Sequence, residues 1–318
     1  MTSKSSSLLV VLAASLLVAN GINVFAQTAE EHLEEAQNHH QQGLDAESTG
    51  DLEGSAEHHH EAAVHFNEAA MAYESEGDYE NAAKYHHEAA EHHHMAATHY
   101  ESLEEYVKAA EHHHESAKHH AMAAIQLGES EKFAEEADHH HMAGMHHHMA
   151  ALALEKAGMH ENAAEHHLEA ADHHDLAGQA LEKTGNAKIA ADHHHVSAEH
   201  HHLAAQQYEE AGLGELAAEH HFMASDHHKI AAMQFKELGD MDNFKVHNAQ
   251  FLLHKGIAKS GNDYVLPPMF QQYLVQNASE IKCKEGFDLL IKASNGNAVC
   301  VNPSTGDHLV KRGFASYQ

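Results

Sequence analysis

The sequence predicts an all-α fold: long helices running up and down in an antiparallel array, closed by a small two-cysteine tail. Three observations predict it. The chain aligns with itself at a constant period of 27 residues, without gaps. Gly recurs at place 21 of that period, as Gly50, Gly77, Gly158, Gly185, Gly212 and Gly239, where a left-handed residue can end a helix. Between these turns lie about 23 residues rich in Ala, Glu, His, Met and Leu, with no Pro before Pro267, enough for helices of roughly 35 Å. Short turns make neighbours antiparallel, so the array is either a solenoid or a succession of four-helix bundles.

Residues 1–26 have the form of a signal peptide. Lys4 supplies the positive start, Leu8 to Ala19 the apolar run, and Val24-Phe25-Ala26 a small-residue cleavage site. The run is short for a membrane span, and no later segment qualifies. The expected setting is extracytoplasmic (secreted, periplasmic or cell-surface), with no integral membrane segment after cleavage. An uncleaved anchor is the alternative.

The repeats occupy residues 27–262. A weak copy spans 30–56, clear copies start at Glu57, Lys84, Glu111, Asp138, Glu165, Asp192 and Glu219, and a remnant starts at Val246. This predicts nine helices. Two turns carry Glu104 and Glu131 where the others carry Gly.

Residues 263–318 form a separate module holding both cysteines, Cys283 and Cys300. In an exported protein two nearby Cys suggest one disulfide, here bracketing a hairpin that turns at Ser294-Asn295-Gly296-Asn297. Two free thiols, or a two-Cys metal site, are the alternatives. Asn277-Ala278-Ser279 fits the acceptor pattern for N-glycosylation.

Of the 318 residues, 42 are His, and 41 of these lie between His32 and His254. Asp and Glu number 49 against 18 Lys and Arg, a net charge of −31 with His neutral and +11 with every His protonated. So acidic a chain at neutral pH excludes nucleic acid and anionic membrane surfaces as partners.

At 100° per residue, Ala pairs at places 6–7 and 13–14 make two small-residue stripes that let neighbouring helices approach closely. Between the stripes lie places 3 and 10. These hold His59, His86, His113, His140, His167, His194 and His221, then Phe66, His93, His120, His147, His174, His201 and His228. Place 9, flanking one stripe, is His65, His92, His119, His146, His173, His200 and His227. Glu and Asp at places 1, 5 and 8 are expected to face water.

So many imidazoles facing a helix interface cannot be left unpartnered. Each unmet buried polar group costs about 1–3 kcal/mol against a total stability of about 5–15 kcal/mol. The interior must be hydrated, paired with acids, or metallated, and imidazole suits Cu, Zn and Ni. No two His in the repeats are three or four residues apart, so one helix cannot chelate with His alone. Ligands must come from different helices, or from His with carboxylates such as Glu57/His60, Glu91/His94, Glu111/His114, Asp138/His141, Asp192/His195 and Glu199/His202. Isolated His32, His99, His160 and His308 are expected to be solvated.

Met142, Met145 and Met149 stand three or four residues from His139, His141 and His146, and their thioethers tilt the expected metal towards copper over zinc or nickel. Alternatively they pack: Met149 shares place 12 with Met95, Met122, Leu176, Leu203 and Ile230, as if that place takes an apolar chain.

The turn Tyr73-Glu74-Ser75-Glu76-Gly77-Asp78-Tyr79-Glu80-Asn81-Ala82 resembles the link inside a tetratricopeptide repeat. That family repeats every 34 residues with two short helices, whereas this chain repeats every 27 with one, so no groove or functional residue is carried over. The tail resembles a two-Cys module at the C-terminus of exported proteins of ammonia-oxidising archaea. The likeness covers about 35 residues, through Cys283-Lys284-Glu285-Gly286, Ala298-Val299-Cys300-Val301-Asn302-Pro303-Ser304-Thr305 and Leu309-Val310-Lys311-Arg312-Gly313-Phe314. It implies an exported protein in copper-dependent organisms, and no activity.

The leading expectation is an exported store or buffer for many transition-metal ions, copper first, with no catalytic residues. One rival is a tetratricopeptide-like scaffold whose His respond to pH; its mark would be an exposed apolar patch. The other is a ferritin-like di-metal enzyme, which would need inward-facing Glu-x-x-His motifs, whereas the acids here sit on the outward places.

Overall fold

A computed structural model describes residues 28–317. The signal-peptide segment lies outside the described residues.

Nine long helices follow one another: α1 (Ala29–Thr49), α2 (Leu52–Glu76), α3 (Tyr79–Ser102), α4 (Tyr106–Glu129), α5 (Phe133–Lys156), α6 (His160–Thr184), α7 (Ala187–Glu210), α8 (Gly214–Glu237) and α9 (Met241–Ser260). Each packs chiefly on the helix before it and the helix after it. A four-helix bundle would close its first helix on its fourth, so the architecture is a solenoid.

The ends of the helices follow the sequence. All six place-21 glycines have φ between 74° and 82°. Glu104 (φ 61°) and Glu131 (φ 56°) take the same left-handed conformation, so the turn geometry overrides the side chain at some cost in strain. Asp51, Asp78 and Asp240 cap the next helices by accepting from the backbone N–H three residues on.

The Ala stripes are the packing surface. Ala62, Ala63, Ala69 and Ala70, and their counterparts in later helices, are fully buried. Place 17 closes the turn-proximal end with Tyr100, Leu127, Leu154, Leu181, Tyr208 and Phe235, each no more than 7% exposed. Place 12 is only partly buried: Met95, Met122, Met149 and Leu203 are half-buried, while Leu176 and Ile230 are 41% and 40% exposed.

The tail adds α10 (Pro268–Gln271), strands β1 (Asp288–Lys292), β2 (Ala298–Val301) and β3 (Ala315–Tyr317), and α11 (Pro303–Lys311). The sheet is antiparallel in the order β2-β1-β3, around buried Leu290. Cys283 and Cys300 form a disulfide, with Cα atoms 5.6 Å apart, which resolves their pairing against free thiols or a metal site. The β1–β2 hairpin turns through Ser294–Asn297, as the sequence suggested.

Candidate metal centres

Three consecutive helices enclose a wedge, and the middle helix points places 3 and 10 into it. Each wedge therefore has two levels. At one level, place 3 of the middle helix meets place 11 of the helix before and place 9 of the helix after. At the other, place 10 meets places 4 and 2 in the same order.

The first level yields the triads His40/His59/His92 and His94/His113/His146. By the same ring contacts it also yields His148/His167/His200 and His202/His221/His254. The second level yields His60/His93/His112, His87/His120/His139 and His114/His147/His166 with Glu169. His141/His174/His193 and His195/His228/His247 complete that series. Asp175 takes the place-11 position beside His194 (2.8 Å) and His227 (3.5 Å). Glu68 joins His32 (2.9 Å) and His65 (3.3 Å). Eleven groups of this kind occur among the described residues.

This arrangement explains why the His come in runs. Successive residues on a helix are 100° apart, so a His-His-His run sends its rings into three different wedges. In α5, His139 joins His87 and His120, His140 faces His173, and His141 joins His174 and His193. His146, His147 and His148 do the same one level away.

The donor geometry suits a first-row ion. Two ligands 2.0–2.1 Å from a tetrahedral metal stand about 3.3 Å apart. The Nδ1 atoms of His59 and His92, His93 and His112, His120 and His139, and His221 and His254 are each 3.2 Å apart. Those of His147 and His166 are 3.3 Å apart, and those of His174 and His193 are 3.4 Å apart. A neutral pair can meet this distance by one Nδ1–H donating to the other's lone pair, but the third ring then has nothing to bond. In His94/His113/His146 and His148/His167/His200, all three Nδ1 atoms are buried without a hydrogen-bond partner. These are convergent lone pairs at the cost of unmet polar groups.

Burial also keeps the rings neutral, the form that binds metal. It pushes His93, His120 and His174 down to about 2, with neighbouring imidazoles adding to the shift. His113, His146, His167 and His200 are lowered to about 3 for the same reasons. His194 is the exception: Asp175 and Glu182 overcome its burial and raise it.

Behind the place-3 rings stand carboxylates from the preceding helix. Glu155 lies 3.1 Å from His167 Nε2, Glu182 3.4 Å from His194 Nε2, Glu209 3.7 Å from His221 Nε2 and Glu101 3.8 Å from His113 Nε2. A carboxylate on Nε2 fixes the ring and leaves Nδ1 facing the site. Gln207 donates to Glu155 at 2.9 Å and steadies it.

Places 3, 9 and 10 hold the ligands expected from the sequence. His59, His92, His93, His113, His120, His146, His147, His167, His174, His200, His221 and His228 lie in triads, and His194 and His227 lie with Asp175. His65 pairs with His32, His86 with His119, His140 with His173, and His201 with His220, without a third imidazole. Asn67, Ala121 and Leu168 stand where the missing partner of the last three pairs would be.

Places 2, 4 and 11 complete the triads with His40, His60, His87, His94, His112, His114, His139, His141, His148, His166, His193, His195, His202 and His247, and place 9 of α9 adds His254; of these the sequence pointed to His60, His94, His114, His141, His195 and His202, as partners of acids on their own helix. Their signal is a pair of recurring His–His offsets, 19 and 33 residues, which link the three helices of a wedge. The carboxylate that joins a triad is Glu169, three residues after His166, rather than an acid preceding its His as in Glu57/His60. His32, His99 and His160 are not merely solvated: His99 bonds Ser55 at 3.1 Å and His160 bonds Gln207 at 2.8 Å. His308 is exposed as expected. Met145 is 42% exposed, and Met142 and Met149 are half-buried on the outer side of α5.

The ends of the array carry a further signature. α9 has no long helix after it and keeps His only at places 2 and 9, His247 and His254, which face the two preceding helices. Its other wedge-facing places are Asn248, Ala249, Lys255 and Gly256. α8 has only one successor and carries Phe222 and Lys229 at places 4 and 11. α1, with no described helix before it, carries Glu31 and Asn38 at places 2 and 9. At the C-terminal end, His is missing where a partner helix is missing; at the N-terminal end, His32, His39, His58 and His65 remain as pairs between α1 and α2.

No family model matches the chain, and no curated protein matches it. Among solved structures, it is similar to the "DHF119 filament" (16% identity, TM-score 0.34, covering 74% of this chain and 97% of that one). It is similar also to the de novo designed helical repeat protein DHR64 (16% identity, TM-score 0.31, covering 77% and 96%). A third is the TPR2AB-domain:pHSP90-complex of yeast Sti1 (15% identity, TM-score 0.16, covering 70% and 98%). At these scores the fold rests on the chain's own helices.

Proposed function

We propose that this protein is an exported store or buffer for many transition-metal ions, with copper favoured over zinc or nickel, and that it is not an enzyme. One observation carries the reading: buried Nδ1 atoms converge in threes at ligand spacing, and in α8 and α9 His drops out at the places whose partner helix is absent among the described residues. Packing alone would not prune His in that pattern. Many near-identical sites favour capacity over a single reaction centre. Export is supported by the leader, the tail's resemblance and a disulfide suited to an oxidising compartment.

The decisive measurement is the metal content of apoprotein reconstituted with excess cuprous or zinc ion, with a thermal melt before and after chelation. The expected result is several tightly held equivalents and a large loss of melting temperature on chelation. Two equivalents or fewer, with an unchanged melt, would refute storage.

A second reading, a scaffold for protein partners, is favoured by apolar side chains on the outward faces: Ile125 is 57% exposed, Met233 54% and Met71 49%. Pull-down with apo and metal-loaded protein separates the two, since a scaffold would not need metal for its binding face.

A further inference from the structure

We infer that the protein carries two classes of metal site. The buried all-imidazole triads take a monovalent, three-coordinate ion of the cuprous type, and the site of His114, His147, His166 and Glu169 takes a divalent, tetrahedral ion of the zinc type. This rests on the metal-binding reading above and sorts its sites by charge and donor number.

The Glu169 site adds a fourth donor, a carboxylate, to three imidazoles. Its carboxylate Oε2 lies 2.9 Å from Nδ1 of His147, 2.9 Å from Nδ1 of His166 and 3.7 Å from Nδ1 of His114. The His147 and His166 nitrogens are 3.3 Å apart. Four donors at these separations bracket the edge of a zinc tetrahedron, about 3.3 Å. The carboxylate also supplies one negative charge, leaving a bound divalent ion with a net charge of one.

The all-imidazole triads offer neither. Their ligands are neutral and two of the three rings are buried in His94/His113/His146. The penalty for taking an ion out of water grows with the square of its charge, so a monovalent ion costs about a quarter as much as a divalent one. Three of the wedges hold two such triads at once. His120 and His146 stack at 5.2 Å and couple one pair, and His174 and His200, also 5.2 Å apart, couple the next. Two divalent ions in one such wedge would bring four positive charges against the one or two carboxylates behind its rings (Glu101, Glu155, or Glu209 with Glu199), whereas two monovalent ions bring two.

Wedge occupancy follows the same division. The Glu169 site shares its wedge with the incomplete His140/His173 pair, and Asp175 shares its wedge with the incomplete His201/His220 pair. Carboxylates therefore enter sites that have no second ion beside them. Asp175 has two imidazoles, and Glu68 has two with Glu35 3.4 Å from His65, so of these groups the Glu169 site alone joins a carboxylate to three imidazoles.

The test uses the full chain after leader removal, with cuprous ion under anaerobic reducing conditions, zinc ion, and cobalt(II) as a spectroscopic probe. In wild type, protein saturated with cuprous ion should still hold zinc, and the first cobalt equivalent should give the intense visible spectrum of a tetrahedral site. Glu169→Gln should weaken zinc retention at least about tenfold and abolish that spectrum. Its helical circular dichroism should stay unchanged, and the three imidazoles left at the site should add at most one cuprous equivalent. The inference fails if E169Q keeps zinc as wild type does, or if zinc fills the triads as readily as cuprous ion. Binding of neither ion beyond two equivalents would instead refute the metal-storage reading itself.

Discussion

The second level of the first wedge and the same level two wedges on are built on one backbone plan with opposite chemistry. In α3–α5 the three converging residues are His87, His120 and His139. In α1–α3 they are Leu33, Phe66 and Tyr85, which pack with Ala36, Ala63 and Ala89 as an ordinary apolar cluster. Phe66 and Tyr85 stack at 6.2 Å. One level of a wedge therefore closes without imidazole, and the His at the same level elsewhere are a burden on folding.

The most severe way to probe that contrast is acid. His120 has its pKa pushed down to about 2 and His113 and His146 to about 3 by burial, while the unfolded chain titrates near 6.5. Between those limits the unfolded state binds more protons. Stability is therefore fully present above about pH 6.5 and falls as the pH drops, by up to about 1.4 kcal/mol per unit for each such ring. The apoprotein should unfold cooperatively between about pH 6 and pH 5, taking up on the order of ten protons. Circular dichroism with proton-uptake titration tests this; a flat stability profile down to pH 4 would mean that the interior is hydrated.

Next in size is a transplant. His87→Leu, His120→Phe and His139→Tyr together place the apolar trio in α3–α5. The apoprotein should gain roughly 2–6 kcal/mol by losing unmet polar groups, and metal capacity should fall by one equivalent. Urea unfolding and elemental analysis of one preparation report both. A stability loss would mean that the wedge is shaped for imidazole after all.

A smaller effect is expected where Gly makes room for a ring. A Cβ at Gly144 would meet His174 Cδ2 and Nε2 at 2.9 Å and the Ala170 carbonyl at 3.2 Å. Gly144→Ala should displace His174 and weaken that triad, with a stability cost of about 1–3 kcal/mol from overpacking. Metal titration should show the loss confined to one site. Smallest is Glu104→Gly, which relieves a left-handed non-Gly residue and should raise stability by about 1 kcal/mol without changing metal content.

Much of this was legible in the sequence. The period, the helices, the Ala stripes, and places 3 and 10 between them all follow from 3.6-residue geometry, which belongs to a single helix. Glu104 and Glu131 adopt the conformation of the glycines they replace, so the turn register alone sufficed. The partners of each His were not legible, because they depend on the axial stagger of three helices. His139 and His141 are two residues apart yet serve different wedges, a relation visible only as the 19- and 33-residue offsets. Glu169 was hidden for another reason: place 5 faces water in an isolated helix, and only the arrival of His114 and His147 turns it into a ligand position.

The sharing of each helix among three wedges has a consequence for how such a protein can change over generations. Place 11 is His in α1, α3, α5 and α7 and another residue in α2, α4, α6 and α8, so the heritable unit is a helix pair of 54 residues. An in-frame tandem duplication of one pair, inserted inside the array, inherits its docking surfaces from both neighbours and adds further His groups at once, with no new turn or contact to select. Deleting a single helix shifts this alternation and disrupts several centres together. The number of His groups can therefore grow in small steps of gene length.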